Sequence, residues 1–253
     1  MERKVRFEVN GQRIAGILHI PEKKNPPAIV MVHGFRIGKD EDHEQFILAA
    51  RQFQKEGFLV LRFDWRGTDE SEGKFEDMTI DSKVDDTLAA IEFVKKQNID
   101  RNRIGILGKS FGGEISILAA LKAKPKTLVL WAPTTDSKRF LTIFTQDQVT
   151  EMKTKGFTVT KAASTGKEYR IGRNFYETAT KTMVENMVKN IERPTLIVHG
   201  DADERIPLEW SKKAYKNMTC EKSLKIIKNM KHSFEGHIDE AIELSLNWFK
   251  KHL

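Results

Sequence analysis

Ser110 stands in the run Gly108-Lys109-Ser110-Phe111-Gly112-Gly113, after the apolar stretch Ile104-Gly105-Ile106-Leu107 and before an apolar run containing small residues. A G-x-S-x-G pattern alone is a weak signal, because serine and glycine are common. A strand before it and a helix after it change its meaning. A nucleophile held at so sharp a bend needs unusual backbone angles, and neighbours without side chains let strand and helix approach closely. Free N–H groups at the helix start would also favour negative charge developing there. Without partners, the same residues read better as a capping serine in a glycine turn.

A serine hydroxyl is a poor nucleophile until a base takes its proton, so an orienting acid and a histidine should follow it in the chain. The stretches IVHGDADERIP and NMKHSFEGH each follow a late strand, where loops from the carboxyl end of a sheet should lie. Asp201, Asp203 and Glu204 are the candidate acids, His232 and His237 the candidate bases. Asp201 comes directly after its strand and can shape the turn, whereas Asp203 is far enough out to swing towards a neighbouring loop. His232 falls in the short loop after SLKIIK, while His237 is near or inside the final helix and reads as a surface residue. His33 precedes the serine and suits a bracing role. Stabilising a tetrahedral oxyanion takes two N–H donors: the Phe111 amide gives one, and the Phe35 amide, after His33-Gly34, is well placed for the other. The two phenyl rings themselves read as core.

Positioning these loops requires a regular frame. VRFEV and RIAGILHI flank Asn10-Gly11, a hairpin signal. AIVMV, FLVLRFD, RIGIL, TLVLWA and PTLIVHG are short apolar runs of the kind that strands buried on both faces show. Between them, Phe46, Ala50 and Phe53 recur at helical spacing up to Gly57. Val84, Leu88, Ile91 and Val94 mark a second helix, with Asp81 or Ser82 as its cap, and Ile238, Ile242, Leu246 and Phe249 mark the last. Strands alternating with helices imply an α/β chain with a mostly parallel sheet covered on both faces. One interval breaks the rhythm. Roughly sixty residues separate TLVLWAP from PTLIVHG, too many for a plain crossover. GFTVT and KEYRIG suggest a small hairpin there, and NFYETATKTMVENMVKN a helix or two. This insertion is expected to cap a pocket at the carboxyl ends of the strands.

The 253 residues suit one α/β domain, and the formal charge of +7 arises from lysines and arginines scattered along the whole chain. Nucleic-acid readers concentrate such charge beside aromatics, so no nucleic-acid partner is expected. No apolar run is long enough to span a membrane, and MERKVRFEVNGQ lacks the apolar stretch of a signal peptide. Cys220 is the only cysteine, which excludes an internal disulfide and favours a cytoplasmic location. Ligand types cluster in Asp40-Glu41-Asp42-His43-Glu44, but that run reads as the solvated start of a helix, so neither a metal nor a cofactor is expected. Lys109 reads as one partner of a surface salt bridge.

The stretches HGF from His33, LRFDWRGTDESEGKFEDMT from Leu61, GKSFGG from Gly108, HGDADERIP from His199 and KHSF from Lys231 carry a specific resemblance. The chain resembles the serine-dependent α/β-hydrolases, and among them the bacterial cinnamoyl and feruloyl esterase-like carboxylesterases. It departs from them in Lys109, where a histidine is often found, in Asp69 in place of a glycine, and in Met230-Lys231 before the histidine. The resemblance implies an α/β-hydrolase fold: a mostly parallel central sheet flanked by helices, an N-terminal antiparallel hairpin, and a cap insertion after the sixth strand, from Thr134 to Asn190, within a single domain. It implies Ser110 as nucleophile, Asp203 as acid, His232 as base, and oxyanion amides at Phe35 and Phe111. The expected activity is hydrolysis of small acyl or aryl esters through an acyl-enzyme. A thioester or a small acylated peptide is an alternative substrate, and a non-catalytic binding protein on the same frame an alternative role. A small-molecule ester is the expected partner, and a homodimer is compatible with the resemblance.

Overall fold

The computed structural model describes residues 1–162 and 165–253, so two residues of the expected 134–190 insertion, Ala163 and Ser164, lie outside the described residues. Strands β1 (Glu2–Val9) and β2 (Gln12–His19) form the expected hairpin, turning through Asn10 and Gly11 with positive φ. There follow β3 (Ala28–Val32), α1 (Gln45–Lys55), β4 (Leu59–Phe63), α2 (Ile80–Lys95), β5 (Ile104–Lys109), α3 (Phe111–Ala123) and β6 (Thr127–Trp131). The insertion then contributes α4 (Ser137–Phe140), α5 (Gln146–Lys155), β7 (Phe157–Lys161), β8 (Glu168–Gly172), α6 (Arg173–Lys181) and α7 (Val184–Met187). The frame closes with β9 (Thr195–Gly200), α8 (Leu208–Asn217), β10 (Lys222–Ile227) and α9 (Ile238–His252).

Eight strands form one sheet in the order β1-β2-β4-β3-β5-β6-β9-β10, with β2 antiparallel to both its neighbours and every later pairing parallel. The continuous apolar runs are the interior strands: every residue of β3, β4, β5, β6 and β9 is buried. Two apolar layers enclose them. Phe46, Phe53, Leu246 and Phe249 of α1 and α9 pack on one face, and Val84, Ile91, Ile115, Leu118 and Trp210 of α2, α3 and α8 on the other. The outer strand β1 carries arginine, lysine and glutamate on its exposed positions, which discourages pairing with another edge.

One local expectation is refined. Helix α2 begins at Ile80, and its cap is Thr79, whose hydroxyl accepts the Ser82 amide while the Ser82 hydroxyl accepts the Thr79 amide. Asp81 and Ser82, the expected caps, therefore sit in its first turn, two and three residues past the actual cap. Helix α3 shows little amphipathic pattern because Phe111 to Ala120 is buried all round, between the sheet, α2 and the insertion's α7. No helix among the described residues is long and apolar enough to cross a membrane.

Candidate active site

Ser110 joins β5 to α3 with φ 54° and ψ −122°, a conformation that costs a side chain strain and that the surroundings must enforce. The enforcing contacts are too close for anything but glycine on either side. A Cβ on Gly108 would lie 2.2 Å from the Ser116 hydroxyl, and one on Gly112 would lie 2.2 Å from the Val32 carbonyl oxygen. The Ser110 amide donates to the Trp131 carbonyl of the neighbouring strand, and its own carbonyl accepts from Gly113 and Thr134. Phe111 is the first residue of α3, so its amide is one of the N–H groups that a helix start leaves without an intrahelical acceptor.

Three distant loops converge here. His232 Nε2 lies 3.1 Å from Ser110 Oγ, and His232 Nδ1 lies 2.8 Å from Asp203 Oδ2. Of the three candidate acids, Asp203 is the one facing the ring. Its Oδ1 accepts the Arg205 and Ile206 amides at 2.9 and 2.8 Å. Asp201 instead accepts the Asn229 amide and ties the two late loops together, while Glu204 accepts the His232 amide at 3.4 Å. His237 is half-buried just before α9, and its Nδ1 meets the Glu235 carbonyl at 3.1 Å.

Burial alone would raise the Asp203 carboxyl, but hydrogen bonds from His199 and His232, with the Ile206 amide, hold it below the usual carboxylate range. His199 was missed from the sequence. Its Nε2 lies 3.2 Å from Asp203 Oδ2 and 3.0 Å from the Ile206 carbonyl, while its Nδ1 meets the Ser211 hydroxyl at 2.7 Å. Facing two acceptors, Nε2 carries the proton, and Ser211 donates to Nδ1. The available signal was a histidine ending β9 four residues before the acid.

His33 braces the loop after β3, as expected. Its Nδ1 donates to the Gly34 carbonyl at 2.9 Å, its Nε2 accepts the Trp65 amide at 3.3 Å, and the rings of His33 and Trp65 are in contact. Full burial pushes the imidazole down to about 3, so it stays neutral. The segment after it departs from expectation. Glu41 and Asp42 are buried rather than solvated, and Glu41 Oε1 accepts the Gly34 amide. Lys109 is not a surface residue either: at 1 % exposure it sits with Nζ 3.2 Å from Glu41 Oε2 and donates to Gln45 Oε1 at 2.5 Å.

Ser110 and His232 open onto a cavity of about 350 Å³ walled by Phe35, Ile37, Phe140, Ile143 and Ile206, with Arg36 and Arg205 also lining it. The insertion supplies Phe140, Ile143 and Ala162 to that wall. Two more of its aromatics pack inward. Phe144 and Phe175 surround the Phe35 ring, with Phe175 stacked on it at 5.2 Å between centroids. Phe111 stacks on Phe140 at 5.5 Å. The rings beside the two candidate oxyanion amides thus form one aromatic cluster with the insertion, which fixes the backbone carrying those amides.

With this geometry in view, the comparisons are specific. A family model described as BD-FAE matches residues 17–218, most of the chain. The chain belongs to the BD-FAE family. Est1E from Butyrivibrio proteoclasticus, in a structure described as having ferulic acid bound, superposes on this BD-FAE member with a TM-score of 0.85 at 24 % identity, over 98 % of each chain. YitV of Bacillus subtilis (strain 168), provisionally named an esterase, is 25 % identical over 83 % of each chain. The thiohydrolase aneE of Aspergillus aculeatus is 36 % identical over 48 % of this chain, a match spanning 38 % of the fungal protein's own length. The resemblance read from the sequence and the α/β-hydrolase fold are both borne out, and this BD-FAE chain is a carboxylic ester hydrolase.

Proposed function

We propose that the chain hydrolyses small acyl or aryl esters through an acyl-enzyme on Ser110. The observation that carries this reading is the continuous chain Asp203–His232–Ser110, with Ser110 and His232 on the wall of a cavity of about 350 Å³. His232 Nε2 takes the Ser110 proton as Oγ attacks the ester carbonyl, then returns it to the departing alcohol. Asp203 holds the ring with Nδ1 protonated and stabilises the imidazolium. The amides of Phe35 and Phe111 stabilise the oxyanion. Water, deprotonated by the same imidazole, then attacks the acyl-serine carbonyl; the C–Oγ bond breaks, the imidazolium returns the proton to Ser110 Oγ, and the acid is released. Residues 134–190 act as a cap, a role supported by Phe140, Ile143 and Ala162 lining the cavity. Its volume is near the lower end for small-molecule sites, which suits an acyl or aryl group of modest size. The ferulic acid named in the Est1E structure supports the aryl member of that class. A cytoplasmic setting is part of this reading, supported by the single cysteine.

A fluorophosphonate should label Ser110 stoichiometrically, and Ser110→Ala should lose at least about 10³-fold in turnover of short-chain aryl esters with its fold intact. An unlabelled wild type, or an alanine variant as active as wild type, overturns the proposal. The likeness to a thiohydrolase favours thioesters as a second substrate class. Matched oxygen esters, thioesters and amides of one acyl group, compared by kcat/KM, decide which bond is preferred.

A further inference from the structure

We propose that Lys109 is a positioning residue that holds the oxyanion loop and the histidine loop in register with the nucleophile; this rests on the serine mechanism above. Burying an ammonium group is costly, and replacing a buried ion pair with apolar side chains is often neutral or stabilising. The residue directly before Ser110 is nevertheless a lysine at 1 % exposure, paired with a glutamate whose side chain is 3 % exposed. Stability alone gives little reason to keep that pair.

What the pair does is visible in where its partners lead. Lys109 Nζ lies 3.2 Å from Glu41 Oε2, donates to Gln45 Oε1 at 2.5 Å, and sits 5.2 Å above the Phe234 ring. The other carboxylate oxygen of Glu41 accepts the Gly34 amide, which orients the chain entering Phe35 and its candidate oxyanion amide. The side-chain amide of Gln45 donates to the Ser233 carbonyl, next to His232. One ammonium group therefore links β5 to the loop after β3 and to the loop after β10. Glu41 (φ 62°) and Phe234 (φ 56°) both adopt left-handed backbone that the contacts must hold in place. Glu41 neutralises the lysine, so its charge is committed to the protein and not to an anionic substrate.

The double variant Lys109→Met/Glu41→Leu removes both charges and the Gly34 acceptor together, and Gln45→Met cuts the bond from Lys109 to Gln45 and with it the link to Ser233, leaving the Glu41 pair in place. Each is to be measured for fold by circular dichroism and thermal melting, for kcat and KM on a short-chain aryl ester, and for the rate of fluorophosphonate labelling. In a folded variant, kcat should fall fivefold or more, by a larger factor than KM rises, and labelling should slow in parallel. A kcat fall smaller than fivefold in both, or a rise in KM that matches or exceeds the kcat loss, overturns the assignment. So does failure of both variants to fold, which would make the network a stability element. If the wild type itself is not labelled at Ser110, the serine mechanism fails as well; labelling of the wild type with undisturbed variants removes only the role of Lys109.

Discussion

Asp203 lies where two imidazoles and two backbone amides meet, and that crowding separates it from its neighbours Asp201 and Glu204. Asp203→Asn keeps the shape but turns an N–H towards a ring that must donate, favouring the wrong tautomer of His232. It should lower kcat on the order of 10⁴-fold with the fold intact, which steady-state kinetics and circular dichroism check together. A drop below tenfold would remove Asp203 from the mechanism. Residue type alone left three carboxylates within four positions; the spacing of Asp203 beyond its strand and the resemblance pointed to it, and it is the one that meets the ring. Lys109 had no such cue: a charged residue reads as exposed until the chain places Glu41 and Gln45, far off in sequence, against it.

At the scale of elements, local signals were good guides and were off by about a turn at most. Thr79 caps α2 through a reciprocal pair of bonds with Ser82. Thr79→Ala should cost about 1 kcal/mol and lower the melting temperature by roughly 2–4 °C without altering kcat; a larger loss would mean that Thr79 also supports the insertion. Phe140 is the insertion's ring at the cavity wall, and it also stacks on Phe111. Phe140→Ala should shift selectivity towards longer acyl chains, seen as a rise in relative kcat/KM along an acyl-length series. An unchanged order would place the acyl group elsewhere in the cavity. The hairpin β7–β8 and helix α6 follow their sequence patterns, but which rings would face a ligand did not. Phe140 lines the cavity, whereas Phe144 and Phe175 turn onto Phe35.

Across the whole molecule, Glu114 ties the central helix to the insertion. Burial raises its carboxyl to about 8 against a hydrogen bond donated by Ser137, and the nearby Glu185 and Asp136 carboxylates add to the rise. The folded protein therefore keeps a proton that the unfolded chain gives up near pH 4.5. Between pH 4.5 and 8 the unfolded state binds fewer protons, so this group's contribution to stability falls as pH rises and levels off above 8. Glu114→Gln removes that slope. The variant should melt several degrees above wild type at pH 8, with the difference shrinking towards zero by pH 4.5; parallel melting curves at all pH values would refute a neutral Glu114.

Hydrophobic periodicity and glycine placement determined the layers and the strand-to-helix bend at Ser110. These depend on each residue's own size and on neighbours a few positions away. Only the tertiary structure decided that His199 shares Asp203, that Lys109 is buried, and which rings of the insertion line the cavity. Those outcomes depend on the electrostatics and packing of groups brought together from loops that are far apart along the chain, and no local pattern encodes the partner.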